Sequence, residues 1–266
     1  MSALAPTPLS RLLRGARSDG EGLVLDVPED WAQGRSVFGG LQVALALQAV
    51  RALVPHAPLR ALQATFVAPV PIGPVRARAR VLRSGKSATH VEARLVEGTE
   101  TQALVVGVFG EPRRSEVAIM PVRPPSPVAE PVELRFVPGR IPSFTQHFAG
   151  RWLRGRPPFS GDTSCEHIVE VDLHDEVPAT EAHVVAIADY IAPIGLSHLS
   201  KQTPGATVTW MLELLTDRLA HLGLVGWRVD ATLVAARDGY TSQTVRLWGP
   251  DGTPVAVGQQ CMMVFG

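Results

Sequence analysis

A short and almost wholly apolar segment, Gly39–Val50, places the strongest limit on how this chain can fold. The two glycines at its start suit a turn into a helix, and the alanine, leucine and glutamine residues that follow are good helix formers. Apolar residues cover most of the helix circumference, which is typical of a helix buried in a protein or in a membrane. Because a bilayer span needs about 20 apolar residues, the segment predicts a helix buried in the protein and surrounded by other elements.

Strand-like segments after this helix supply the surrounding elements. The helix is expected to run to about Val54, and the strand-like segments that follow are Leu62–Pro69, Val75–Arg83, His90–Val96 and Ala103–Phe109. Turns that contain glycine, at Arg83–Ser87 and Glu97–Glu100, separate the last three segments and indicate antiparallel hairpins. A sheet wrapped around one central helix is the simplest architecture that uses all of these segments.

The proline content changes between residues 112 and 142, where eight of the 23 prolines lie. Such a density favours an extended connector over a packed element. Beyond it the first half is repeated, and the turn Arg237–Thr241 corresponds to the turn Arg83–Ser87. The sequence therefore predicts two copies of one helix-and-sheet unit, at 1–115 and 143–266, joined by a linker at 116–142. The predicted elements of the second unit are Phe144–Leu153, Glu166–Leu173, a helical run in Thr180–Ile191, Ala206–Leu215, Trp227–Ala236, Ser242–Trp248 and Pro254–Phe265.

The composition limits the partners and the cellular setting that we expect. The chain has 25 basic and 25 acidic residues, and a net charge of zero favours neither nucleic acid nor an anionic membrane as a partner. Met1–Arg17 lacks a continuous apolar core, so no secretory signal is expected, and no segment is a transmembrane candidate. The two cysteines, Cys165 and Cys261, form no CxxC motif, and we expect a cytoplasmic protein without structural zinc or any other cofactor.

Catalytic side chains must come from scattered positions, because the chain contains no GxSxG, P-loop, GxGxxG or HExxH motif. The first candidate is Asp189, which lies near the end of the apolar run Val184–Ile191. A carboxylate is costly to bury unless it is paired or functional, and burial would raise its pKa and make it a better base near neutral pH. The alternative is an aspartate at a helix end that faces solvent.

Polar residues on two predicted strands are further candidates. Thr207 and Thr209 are two residues apart on a strand and are therefore expected to share one face. Gln259 and Gln260 interrupt the last strand, where one of them must point inward and its amide then needs a partner. Ordinary strand residues in contact with water are the alternative for both pairs.

Short stretches in both halves resemble the acyl-CoA thioesterase II family and its thioesterase-like relatives, which are tandem hotdog proteins. They are Val37–Ala44 and Arg83–Ser87 in the first unit, and Ala188–Tyr190, Ala206–Trp210 and Asp251–Gln260 in the second. The resemblance implies an α+β double hotdog, in which two antiparallel sheets each wrap a central helix, and it implies a homo-oligomer. An Asp-His pair that usually follows the family's threonine is replaced here by Thr209-Trp210, as in the looser relatives.

The same resemblance implies a reaction and its residues. The Asp, Thr and Gln that hold a water against the thioester carbonyl fall on Asp189, Thr207 and Gln259. Backbone N–H groups at a helix N-terminus would stabilise the oxyanion, with Gly40 and its neighbour Gly39 as candidates.

The implied function is hydrolysis of an acyl-CoA thioester to free acid and CoA by activated water. A non-catalytic acyl-thioester-binding protein of the same fold is the first alternative, and an acyl-handling enzyme of aromatic or polyketide biosynthesis is the second.

Overall fold

The computed structural model describes residues 6–127 and 130–265. Residues 1–5 of the N-terminal segment Met1–Arg17 therefore lie outside the described part. Its α-helices are α1 (Leu9–Arg14), α2 (Gly39–Arg51) and α3 (Glu181–Ala188). None of the helices in the described residues is long and apolar enough to cross a membrane.

Fifteen strands lie in the described residues, and most of the predicted segments are among them. The first half contains β1 (Arg17–Ser18), β2 (Leu23–Val27), β3 (Ala32–Gln33), β4 (Ser36–Val37), β5 (Leu59–Phe66), β6 (Gly73–Ser84), β7 (Thr89–Glu97) and β8 (Glu100–Phe109). The second contains β9 (Val132–Leu134), β10 (Phe148–Arg154), β11 (Glu166–Leu173), β12 (Gly205–Leu214), β13 (Trp227–Arg237), β14 (Tyr240–Trp248) and β15 (Pro254–Val264). The segment predicted as a strand from Phe144 begins instead with a 3₁₀ turn, Ser143–His147, where the Thr145 hydroxyl donates to the Pro142 carbonyl.

Strands from both halves form one antiparallel sheet of 13 strands, in the order β1-β2-β6-β7-β8-β5-β12-β15-β14-β13-β11-β10-β9. The expectation of two separate sheets is therefore wrong. The halves join where β5 pairs with β12, with Ala64 opposite Trp210. Alone, each of these strands would leave a row of backbone N–H and C=O groups without partners at a sheet edge, and their pairing satisfies both rows.

Helix α2 is buried against β6, β7, β8 and helix α3, as its apolar sequence predicted. It crosses α3 closely, because a Cβ atom at Gly40 would lie 3.0 Å from the Cα of Ala186. The helix ends at Arg51, whose guanidinium pairs with Glu181 of α3 and donates to the carbonyl of Ala57. The two helices are therefore held together at both ends of α2.

The linker carries one short strand, β9, in its described part and otherwise lacks regular structure. The side chain of Arg228, which is fully buried on β13, donates to the Pro124 carbonyl and to the Ser126 hydroxyl. This contact fastens part of the linker to the sheet of the second half. The division of the chain into 1–115, 116–142 and 143–266 stays a prediction.

Candidate active site

Asp189 follows the last residue of α3, and its carboxylate faces the first turn of α2. A Cβ atom at Gly39 would lie 2.7 Å from Oδ2 of Asp189, and the backbone N–H of Gly40 lies close enough to stabilise the negative charge of the same carboxylate. These N–H groups have no acceptor inside α2 because they belong to its first turn, where the helix dipole also favours a negative charge. The carboxylate from the second half therefore meets a helix N-terminus from the first half.

Burial sets the protonation behaviour of Asp189. Loss of hydration raises the pKa of its carboxyl from an ordinary value of 3.8 to about 7. Hydrogen bonds from the Gly40 backbone and the Gln260 side chain act in the opposite direction, because they stabilise the charged form. The residue as a whole keeps some accessible surface. A carboxyl of this kind is well matched to proton transfer at neutral pH.

Gln260 provides the side-chain partner of Asp189. Its Nε2 donates to Oδ1 of Asp189 over 2.8 Å. Its Oε1 accepts from Nε2 of Gln243 on β14 over 3.2 Å, and Oε1 of Gln243 accepts from the backbone N–H of Ile194 over 3.0 Å. Both glutamines are fully buried. A chain of hydrogen bonds therefore runs from a main-chain donor to the carboxylate.

Gln259, which we expected to contribute this amide, points the other way. It is exposed, donates to the hydroxyl of Ser242 over 3.2 Å, and lines a groove of about 350 Å³ on the opposite face of the sheet. Neighbouring strand residues face opposite sides, so only one of two adjacent glutamines can reach Asp189. The prediction of Gln259 is therefore wrong, and Gln260 holds the position beside the carboxylate.

Thr207 lies on the same face of the sheet as Gln260, but Thr209 does not. Thr207 is opposite the buried Met262, whereas Thr209 is opposite Cys261 and is exposed. A β-bulge between the two threonines inserts one residue and reverses the expected alternation. The expectation that both share a face is therefore wrong. The Thr207 hydroxyl makes no hydrogen bond to a protein group within the described residues, and its catalytic role stays a prediction.

Gln243 is the member of this cluster that the sequence reasoning missed. It occupies an inward position of β14, between the buried residues Thr241 and Val245. A glutamine at an inward position of an alternating strand was the signal that could have found it, because a buried amide needs partners.

Tyr190, the residue after Asp189, is part of an aromatic wall with Phe148 and Trp152. The ring of Tyr190 lies 4.9 Å from that of Phe148 and 6.2 Å from that of Trp152, measured between centroids. Burial raises the pKa of the Tyr190 phenol, which therefore stays neutral. Its hydroxyl fits only because residue 150 is glycine, since a Cβ there would lie 2.1 Å from the oxygen.

A cavity of about 530 Å³ opens near the other end of the hydrogen-bond chain. Gly195, which follows Ile194, lines it together with His198, Leu199, Thr241 and Val264. Within residues 6–127 and 130–265, no group of three or more His, Cys, Asp or Glu side chains is arranged to hold a metal ion. The polar groups that the structure places beside the Asp189 carboxyl are the amide of Gln260 and the first turn of α2.

Two family models match the chain. The model of the acyl-CoA thioesterase N-terminal domain matches residues 27–110, and that of the acyl-CoA thioesterase C-terminal domain matches residues 120–264. The chain belongs to the acyl-CoA thioesterase family. A comparison of the sequence with curated proteins finds no match.

Solved structures show the fold of this family member. A protein of unknown function with a hotdog fold from Alicyclobacillus acidocaldarius is 22% identical, with a TM-score of 0.80 over 97% of this chain and 98% of its own. A TesB protein from Mycobacterium avium subspecies paratuberculosis is 13% identical, with a TM-score of 0.78 over the same shares. An acyl-CoA thioesterase II from Mycobacterium marinum is 16% identical, with a TM-score of 0.70 over 97% and 98%. The hotdog fold is confirmed.

Proposed function

We propose that this protein hydrolyses an acyl-CoA thioester to the free acid and CoA, with a water activated by Asp189. The observation that supports this most strongly is the Asp189 carboxyl, whose pKa is raised to about 7 and which lies between the α2 N-terminus and the Gln260 amide. A group with that pKa accepts a proton from water without being permanently protonated at neutral pH. Membership of the acyl-CoA thioesterase family supports the same reaction class.

In the proposed reaction, Asp189 removes a proton from water while the water oxygen attacks the thioester carbonyl carbon. Gln260 and Thr207 orient the carboxylate and the water. The N–H of Gly40 faces Asp189, so the proposed donor to the developing oxyanion is the N–H of Gly39, at the first position of α2. The tetrahedral intermediate then breaks its C–S bond, and the departing thiolate takes the proton from Asp189. One water is consumed, and a carboxylic acid and a thiol are formed.

The proposed substrate-binding region is near Gly195 and Tyr190. The cavity of about 530 Å³ near Gly195 and the aromatic wall at Tyr190 are both close in sequence to Asp189. We propose that the acyl group or the pantetheine arm of CoA enters through this region. A cytoplasmic location stays a prediction.

Association of several copies is part of the proposal. Three apolar side chains of the linker, Val117, Ile119 and Val122, are 75%, 86% and 87% exposed. Such residues are typical of contact surfaces when they cluster. Light scattering of the purified protein tests whether it is a homo-oligomer.

A thiol-release assay with acyl-CoAs from acetyl to palmitoyl, and with benzoyl-CoA, tests the proposed function. We expect Asp189→Asn to lower kcat by about 100-fold or more while substrate still binds, because the asparagine amide cannot act as a base. Asp217→Asn, at an exposed aspartate, is the matched control and should behave like the wild type.

The panel also separates the alternatives. Equal hydrolysis by the wild type and Asp189→Asn would contradict the assignment of the base. Binding of acyl-CoAs without hydrolysis of any of them would favour the non-catalytic acyl-thioester-binding protein. The kcat/KM of the wild type should rise with pH up to about 7, as Asp189 loses its proton.

A further inference from the structure

The hydrogen bonds of Gln243 have a fixed direction. Ile194 contributes a backbone N–H, which can only donate, so the side chain of Gln243 must turn its oxygen toward it. The nitrogen of Gln243 is then directed at Gln260, whose oxygen must accept. The nitrogen of Gln260 is in turn directed at Asp189. One main-chain donor therefore determines the orientation of two buried amides.

We propose that Gln243 is a positioning residue of the hydrolytic site, which holds Gln260 with its amide nitrogen toward Asp189. This inference rests on the proposed function of Asp189 as the base. Without Gln243, no donor on the side of Gln260 away from Asp189 would favour its amide oxygen over its amide nitrogen. Gln260 would then be free to rotate, and its oxygen would face the carboxylate for part of the time.

Rotation of Gln260 changes how strongly Asp189 holds its proton. A donor from Gln260 stabilises the carboxylate, whereas an amide oxygen in its place accepts from the protonated carboxyl and stabilises that form. Loss of Gln243 therefore raises the pKa of Asp189 without removing any atom that touches it.

The other titratable groups near Asp189 do not share this role. On the helices that pack beside it, Arg51 and Glu181 pair with each other at the far end, and His183 interacts with Asp175. Tyr190 is the next residue and stays neutral.

Among the described residues, the titratable side chains of the adjacent strands also lie away from the carboxylate. Cys261 of β15 and Glu213 of β12 lie on the opposite face from Gln260, and Arg60 of β5 donates to the Gly110 carbonyl near the start of that strand. In the described part of the chain, the polar groups in contact with the Asp189 carboxyl are thus the amide of Gln260 and the α2 N-terminus.

Measurement of the Asp189 pKa by carboxyl ¹³C NMR tests the proposal on the full chain, with Asp189→Asn to assign the resonance. We expect Gln243→Leu to raise this pKa by about one unit, a tenfold change in the ionisation constant. In Gln243→Glu, an ionised carboxylate would attract the nitrogen of Gln260 and add a negative charge, so the pKa should rise further. Gln102→Leu removes a buried amide of β8 that donates to Glu97 of β7, and is the control for stability alone.

Enzyme kinetics give a second readout. The acid limb of the kcat profile should move to higher pH in Gln243→Leu, kcat should fall about fivefold at pH 7, and KM should change little. An unshifted Asp189 pKa in both Gln243 variants, with only a loss of stability like that of Gln102→Leu, overturns the inference. Since the NMR measurement needs no substrate, failure of this inference is distinct from failure of the proposed function, which is decided by the effect of Asp189→Asn on hydrolysis.

Discussion

Nε2 of Gln260 lies 2.8 Å from Oδ1 of Asp189, although the two residues are 71 positions apart in the chain. The contact brings the last strand of the sheet to the end of α3, and both meet the first turn of α2. It gives a buried carboxyl one strong donor, which opposes the effect of desolvation. The proposed catalytic behaviour of Asp189 depends on this balance.

The two adjacent glutamines of β15 should differ in their effect on hydrolysis. Gln260→Ala removes the donor to Asp189 and should lower kcat/KM by about 10- to 100-fold, as expected for a hydrogen bond to a charged group. Gln259→Ala changes an exposed side chain that binds Ser242 and should keep kcat/KM within about twofold of the wild type. Steady-state kinetics of both variants decide the point, and a larger loss in Gln259→Ala would contradict the site described here.

The threonines on either side of the β-bulge form a second matched pair. Thr207→Val removes a hydroxyl on the face that carries Gln260, and we expect a loss of about tenfold in kcat. Thr209→Val alters an exposed residue on the other face and should leave kcat unchanged. Equal kinetics of the two variants would show that the Thr207 hydroxyl does not contact the reacting water.

Replacement of either glycine at the start of α2 by alanine should be harmful, but one variant should lose activity and the other stability. In Gly39→Ala, the new methyl group would lie 2.7 Å from Oδ2 of Asp189, so the carboxylate must move and kcat should fall by up to about 100-fold. In Gly40→Ala, the methyl group would press on Phe38 and on the backbone of Ala186, which should destabilise the fold by about 1–3 kcal/mol.

Kinetics and urea unfolding of both variants separate these effects. The control is Gly223→Ala, where an added Cβ meets nothing within 4 Å. If Gly39→Ala kept full activity, the carboxylate would not need its present position.

The stability of the protein should depend on pH through Asp189. The folded carboxyl has a pKa of about 7 and the unfolded one a pKa of 3.8, so between these values the folded state keeps a proton that the unfolded chain releases. The free energy of unfolding therefore falls as pH rises from about 4 to 7. Asp189→Asn lacks this dependence and should be more stable than the wild type at pH 8, by at most ~4 kcal/mol.

Urea unfolding at pH 5 and pH 8 measures this difference, with Asp217→Asn as the control. Parallel changes of the wild type and Asp189→Asn with pH would show that Asp189 is not the responsible group.

The local elements of this fold could be predicted because their signals are local. Helix α2 follows from the two glycines and the apolar run Gly39–Val50, and the hairpin of β6 and β7 follows from alternation around a glycine turn. The position of Asp189 at the end of an apolar helical run also marked it as a candidate before its surroundings were known.

Long-range pairing could not be predicted in the same way. Local alternation does not say which strand edge will meet which, and so the joining of β5 to β12 into one sheet is a property of the assembled chain. The inward direction of Gln260 depends on the registers of β12, β15 and β14, and the separation of Thr207 from Thr209 depends on one inserted residue.

The amino-acid pattern thus specified the buried helix, the hairpins and a carboxyl that is costly to bury. Which amide stabilises that carboxyl was decided by strand register, because a shift of one residue turns a side chain to the other face of a sheet. The polarity of the hydrogen-bond chain from Ile194 through Gln243 to Gln260 was decided by a backbone donor that only the folded chain brings there.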